Sequence, residues 1–312
     1  MPCVLTMGGP LLLAVLLDVL LGEPPNRWHP VAWMGRFIGT VQRWAPPHGQ
    51  WERLIYGAAV VIGGVGLVVL LGVLLERLLW YVPWPLAWFV KALGLKLTMS
   101  LRGLAQAADE VQQALAHEDL PRARHLLGWH LVSRDTRQLS AAHVAAAAVE
   151  SVGENASDGI VAPLLFYTLG GLPAALAYRF INTADAMLGY RDAVHIWLGK
   201  VPARLDDLAN VVPARLTAVL IVLAALLLGE NARQAWTVWR RDASLTASPN
   251  AGHPMSAMAG ALQVELEKVG HYRLGAGQPL PGAQHITRAS RLLYGTTALG
   301  VVVLAGVMLL WC

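Results

Sequence analysis

The chain has 312 residues, 55% of them hydrophobic and only 14% charged, with a mean hydropathy of +0.48. Average soluble domains carry roughly a quarter charged residues, so the composition excludes an ordinary soluble domain and indicates an integral membrane protein. Lys and Arg number 24 against 20 Asp and Glu, a net charge of +4 without a polybasic run, which argues against nucleic-acid binding.

The first apolar run, residues 4–21, is long enough to cross a bilayer. It contains Asp18, and no Lys or Arg precedes it, so it lacks the basic start of a signal peptide and reads as a retained helix. The stiff segment Gly22-Glu-Pro-Pro-Asn26-Arg-Trp-His29-Pro30 follows, as a substrate wall or an interfacial turn. A second span covers residues 54–75, after which Trp80, Trp84 and Trp88 cluster either as an interfacial belt or as core packing. The glycine pairs Gly63-Gly64 and Gly170-Gly171 lie in apolar runs, where close helix packing is their expected role. Cys3 and Cys312 are the only cysteines, giving neither a disulfide framework nor a zinc spacing. The ten histidines form no ligand motif.

Residues 91–158 read as a helical insertion outside the membrane: 105–116 has no breaker, Asp119-Leu-Pro121 marks a turn, and 139–149 is Ala-rich. Within it, Arg134-Asp135-Thr136-x-x-Leu139 offers an Arg for phosphate and an Asp to bind metal or orient that Arg, or else a capping salt bridge. Glu150, Glu154 and Asp158 then stand at i, i+4 and i+8, one face of a helix. Stacked like charges destabilise a helix unless a cation lies among them, so a divalent metal or a phosphate-bearing ligand is one resolution; a solvated acidic helix start is the other.

The run 160–181 contains Pro163, Gly170, Gly171 and Pro173, which predict a broken helix of the kind tolerated beside a protein-enclosed cavity. Asn182-Thr-Ala-Asp185 and Arg191 lie just beyond it. In Arg204-Leu-Asp206-Asp207-x-x-Asn210-x-x-Pro213-Ala-Arg215, Asp206 and Asn210 align at i, i+4, and Arg215 enters the apolar span 211–228, where something anionic should face it. Ser248-Pro-Asn250-Ala-Gly252-His-Pro254 opens onto a helix whose free N–H groups suit an anion, or is a Pro-fixed helix entry. A polar block covers about 245–290, and 292–311 is a last span. No phosphate-binding Gly-x-x-x-x-Gly-Lys-[Ser/Thr] loop occurs.

In this order, GEPPNRWHP, RDTxxL, ESVxENxSDGxxAPL, NTxDAMxGYR, ARLDDxxNxxPAR and SPNAGHPxxAMAGAL resemble the CobD/CbiB family of cobalamin biosynthesis, the adenosylcobinamide-phosphate synthases. The resemblance runs from Leu21 to about Leu274. Ala184 departs from the family's usual Leu, and Glu267-Lys-Val from its usual glycines, which bears only on local loop shape. It implies an acid–amine ligase of the cell's inner membrane that joins a carboxylate of adenosylcobyric acid to (R)-1-aminopropan-2-ol phosphate, or free aminopropanol, using ATP and Mg²⁺. Phosphoryl activation of the carboxylate, as an acyl phosphate, would supply the leaving group.

On the matching motifs, Glu150, Glu154 and Asp185 are the expected catalytic residues, with Glu150 as the base that deprotonates the amine. Glu154, Asp158, Asp185, Asp206 and Asp207 are the expected metal ligands. Arg134, Arg179, Arg191, Arg204 and Arg215, with Ser248, suit phosphates, and Asn155, Asn182, Asn210 and Asn250 suit the carboxamides of a corrin rim. The expected fold is one all-α, multi-pass membrane domain of four or five spans with helical insertions and negligible β structure. Its partners would be the corrinoid, the amino alcohol and lipid, with self-association possible in principle. The same buried acids and broken helix also suit a corrinoid transporter or binding scaffold.

Overall fold

The computed structural model describes residues 3–190, 192 and 195–310, with side chains from residue 8 onward. In chain order the helices are α1 (Cys3–Leu21), α2 (Pro30–Gln42), α3 (Gln50–Leu78), α4 (Trp84–Lys96), α5 (Leu101–Ala116), α6 (Leu120–His130) and α7 (Ala141–Ala156). A wide π turn, Ser157–Val161, leads into α8 (Ala162–Leu188), followed by α9 (His195–Leu198), α10 (Lys200–Ala209), α11 (Val211–Leu228), α12 (Ala232–Asp242) and α13 (Gly252–Leu262). A hairpin of β1 (Leu266–Lys268) and β2 (Tyr272–Leu274) precedes α14 (Ala283–Leu310). The near-absence of β structure is as expected; among the described residues these two three-residue strands are the exception.

Four helical stretches are long and apolar enough to cross a membrane: Gln50–Tyr81, Ala141–Leu188, Val211–Leu228 and Ala283–Leu310, with a shorter apolar helix at Gly8–Leu21. The 48-residue stretch exceeds what a hydrocarbon core of about 30 Å requires, so only part of it can lie in lipid. The chain clusters into two compact units. The first contains residues up to Ser100, Ala162–Asn210 and the chain from Val303; the second contains Leu101–Val161 and Val211–Val302.

In the first unit, α3 buries a stripe of Gly57, Val61, Gly64, Val68 and Gly72, with Gly57 against the Leu198 carbonyl of α9 and the later positions toward α8. These recur every three or four residues, one helix face, and the small residues let backbones approach. A Cβ at Gly64 would run into the Phe180 ring, and one at Gly72 would lie 2.8 Å from Pro173 Cα. Gly63 faces open space, so only its neighbour plays the expected packing role. The core here joins Met34, Ile38, Val61, Val68, Phe180, Ala184, Leu188 and Leu198. Trp80 is 85% exposed and Trp84 half so, as an interfacial belt requires, whereas Trp88 turns inward over Gly9 on α1.

The break in α8 falls at Gly170 and Gly171, the latter at φ +67°, a conformation that favours glycine. Gly171 ends one helical segment and also admits a neighbour, since a Cβ there would lie 2.5 Å from Glu76 Oε1 on α3. Pro163 does not break the helix, because it sits in the first turn of α8, where a missing N–H is tolerated. The freed N–H of Leu172 donates to Glu76 Oε1 of α3 at 3.0 Å. Glu76 thus caps the second half of α8.

In the second unit, α7 is buried continuously from Val144 to Gly153 and packs against α5, α6, α13 and β1. Its alanines keep those neighbours close, and a Cβ at Gly153 would lie 3.3 Å from Met255 Cα on α13. α5 is amphipathic, burying Leu101, Leu104, Ala105, Ala108 and Val111 at helical spacing; each fully buried Leu or Val contributes roughly 1.5–3 kcal/mol. Asp119 caps α6 by accepting the Arg122 N–H at 3.1 Å, with Pro121 in the first turn.

Candidate functional site

In the first unit, two motifs separated in sequence meet in a buried polar chain. Tyr178 Oη donates to Asn210 Oδ1 at 2.9 Å, and Asn210 Nδ2 donates to Asp206 Oδ2 at 2.9 Å. Asn182 Nδ2 donates to Asp206 Oδ1 at 3.2 Å, and Arg179 Nη1 donates to Asn182 Oδ1 at 3.3 Å. The i, i+4 alignment of Asp206 and Asn210 is therefore a real bond at the end of α10. Tyr178 is held in place by Phe166, stacked with ring centroids 4.9 Å apart.

Burial raises the Asp206 carboxyl above the ordinary range, and the neighbouring Asp207 adds to this, while the amides of Asn182 and Asn210 oppose it. Asp207 is within 3.5 Å of Arg204, which is largely exposed. Asp185 stands three residues beyond Asn182 on α8, and a Cβ at Gly189 would collide with its carboxylate. Arg191 lies outside the described residues.

In the second unit, Arg134 Nη2 lies 3.2 Å from Glu150 Oε2. Glu150 is 5% exposed, and its Oε1 has no partner in hydrogen-bonding geometry. Both residues line a cavity of about 170 Å³ together with Ser133, Ser151, Glu154, Lys268 and Tyr272. Burial and the charges of Glu150 and Glu154 push the Tyr272 hydroxyl far above its usual range, so it stays protonated as a donor. Asn155 donates to the Ser151 carbonyl at 2.9 Å.

Asp158 sits on the π turn, which packs on α11. π turns interrupt regular helical phase and recur at functional sites. Asp135 does not orient Arg134. It pairs instead with the exposed Arg137 at 2.7 Å, whose hydrogen bonds hold its carboxyl to about 2.

Arg215, on α11, meets neutral acceptors: the Val211 carbonyl at 2.8 Å and Asn250 Oδ1 at 3.3 Å. Ser248 Oγ accepts the N–H of Asn250 at 3.2 Å and of Ala251 at 3.4 Å, a turn-fixing role. His253 Nδ1 accepts from Trp239 Nε1 at 2.9 Å. Burial, then the Arg215 charge, lower the His253 pKa and keep that ring neutral.

The expected metal ligands thus divide between the units, Asp185, Asp206 and Asp207 in one and Glu154 and Asp158 in the other. Among the described residues, no group of three or more His, Cys, Asp or Glu side chains is placed to hold a metal. Several polar groups were not foreseen from the sequence. Lys96, 2% exposed, lies 3.6 Å from the fully buried Asp18 and 3.5 Å from Glu23, and Glu23 also meets His29 at 2.7 Å. These contacts tie down the segment that follows α1. Of the unforeseen groups, Lys96 carried a signal, an ionisable group in an apolar context, whereas Lys268 and Tyr272 are indistinguishable from their polar neighbours in sequence.

A family model described as CobD/Cbib protein matches residues 11–293. A probable cobalamin biosynthesis protein CobD of Methanothermobacter thermautotrophicus is 42% identical over 303 residues, covering 96% of this chain and 97% of that one. The cobalamin biosynthesis protein CobD of Chromobacterium violaceum is 41% identical, with 94% and 96% covered. The chain belongs to the CobD/CbiB family. A further CobD/CbiB relative, the cobalamin biosynthesis protein CbiB of Salmonella typhi, is 36% identical over 93% of each chain. No solved structure is significantly similar to this CobD/CbiB chain. The family match includes every motif described above, so the Asp206 chain and the Arg134–Glu150 cavity both lie within the CobD/CbiB region.

Proposed function

We propose that this CobD/CbiB protein forms an amide between adenosylcobyric acid and (R)-1-aminopropan-2-ol phosphate, or free aminopropanol, in an ATP- and Mg²⁺-dependent step of cobalamin biosynthesis at the inner membrane, which it crosses several times. The observation that carries this reading is Glu150: a buried carboxylate at the lining of a small polar cavity, held by Arg134, with its second oxygen lacking a hydrogen-bond partner. Such an oxygen is what a proton acceptor needs.

A carboxylate does not condense unaided with an amine in water, and ATP supplies a leaving group on the carboxyl carbon. The amine is an ammonium near neutral pH and must lose a proton before its lone pair can attack; Glu150 Oε1 accepts it. The C–N bond then forms as the C–O bond to the leaving phosphate breaks. Arg134 holds Glu150 in place and offsets negative charge beside it.

The side chains suit Mg²⁺, a hard cation that takes one or two carboxylates and completes its shell with water and phosphate oxygens. Asp206 is already engaged by two amides. Asp185 and Asp207 would therefore hold the ion in the first unit, and Arg179 and Arg204 would face phosphates. Asn182 and Asn210 have their amides committed to Asp206, Arg179 and Tyr178, so they position this set rather than meet the corrin rim.

Detergent-purified protein with adenosylcobyric acid, aminopropanol phosphate, ATP and Mg²⁺ should yield a corrinoid whose mass is raised by amide condensation, only when every component is present. A second reading, corrinoid transport, draws on the α8 break capped by Glu76, a device common in transporters. Labelled corrinoid crossing sealed vesicles unchanged in mass, with no amide formed in detergent, would favour it.

A further inference from the structure

The cavity around Glu150 carries two charges of each sign. Glu150 and Glu154 come from α7, Arg134 from the segment before it, and Lys268 from the end of β1. Lys268 pairs in register with Tyr272 across the hairpin, its Nζ 5.9 Å from the Tyr272 ring centroid. The hairpin is anchored by a hydrogen bond between His143 Nε2 and Glu267 Oε2 at 3.2 Å and by the Arg273–Glu265 ion pair at 2.5 Å. At about 170 Å³ the space is below the roughly 300–1,000 Å³ of pockets for drug-sized ligands, which excludes a corrinoid. A ligand matching this lining is short, with an ammonium at one end and a phosphate at the other.

We propose that this cavity seats the amino-alcohol phosphate, its ammonium on Glu150 and Glu154 and its phosphate on Arg134 and Lys268, and that Lys268 sets the preference for the phosphorylated over the free amino alcohol. The assignment rests on the amide-synthesis reading and adds to it a location and a specificity residue. It also places the reacting nitrogen beside the unpartnered oxygen of Glu150.

The test is steady-state kinetics in detergent free of phosphatidylethanolamine, comparing wild type, Lys268→Met and Lys268→Arg with aminopropanol phosphate and with free aminopropanol. Losing one charged hydrogen bond to phosphate should raise the KM of Lys268→Met for the phosphate ester about tenfold or more. KM for adenosylcobyric acid should be unchanged, and kcat/KM for free aminopropanol should hold, so the preference collapses. Lys268→Arg should retain most of it, which separates charge from folding.

An unchanged preference, or a KM rise confined to the corrinoid, overturns the assignment and leaves the synthase reading intact. Phosphatidylethanolamine carries the same two charges; if Lys268→Met weakens only its binding, the cavity belongs to a lipid headgroup and the assignment fails. Should wild type form no amide, the synthase reading fails first. Calorimetry with aminopropanol phosphate then decides the cavity: binding lost in Lys268→Met upholds an ammonium–phosphate site, and no binding to wild type removes it.

Discussion

The Asp206 chain of the first unit and the Glu150 cavity of the second both bury a carboxylate among polar side chains, but they treat it differently. Both oxygens of Asp206 accept amide hydrogen bonds, and the series continues to Tyr178 on one side and Arg179 on the other. Glu150 commits one oxygen to Arg134 and keeps the other buried without a hydrogen-bond partner. A closed network fixes geometry and specifies one arrangement. A buried carboxylate oxygen without a partner is costly and calls for an explanation, which under the proposed function is proton transfer at Glu150.

The largest expected effect breaks this contrast directly. Glu150→Gln keeps the shape and an oxygen for Arg134 but cannot accept a proton, so kcat should fall by about 10²–10⁴-fold while the thermal midpoint barely moves. Wild-type turnover in that variant would show that the unpartnered oxygen has no chemical role.

A middle-sized effect separates scaffold from site. Glu76→Leu orphans the Leu172 N–H and should cost about 1–3 kcal/mol of stability, read as a lower unfolding midpoint. Glu76→Gln, which keeps an acceptor, should lose little. Equal losses in both would mean that charge, rather than the cap itself, is what α8 requires.

The smallest effect is a pH dependence. The folded-state pKa of Asp206 lies above its unfolded value, so its contribution to stability is fully present below the unfolded pKa and is lost as pH rises through the folded one. Asp206→Asn should remove that part of the slope in a stability-versus-pH series. An unaltered slope would mean that the amides of Asn182 and Asn210 cancel the effect of desolvation.

The sequence made the spans and the polar motifs legible because both are local: an apolar run of sufficient length, an Asp and an Asn one turn apart. The pairing of Asn182 with Asp206 crosses 24 residues and followed from no periodicity; only the motif order of the family hinted at one site. Lys268 shows the limit most clearly. It lies where the chain departs from the family's usual glycines, which suggested only a change of loop shape, yet the hairpin carries it beside Glu150 and Glu154. Glu76 escaped because the apolar run seemed to end at Leu75, one residue before it, whereas α3 continues to Leu78.

The interruption at Gly170 and Gly171 makes α8 two cooperative segments joined by a single non-helical step. Amide exchange should then report two protection classes within one apolar helix, with the amides just after Gly171 depending on a side chain of α3 for their protection. The segment carrying Asn182 and Asp185 is thus held to α3 in two ways, by apolar packing of Phe180 and Pro173 on the glycines of that helix and by one carboxylate at the break.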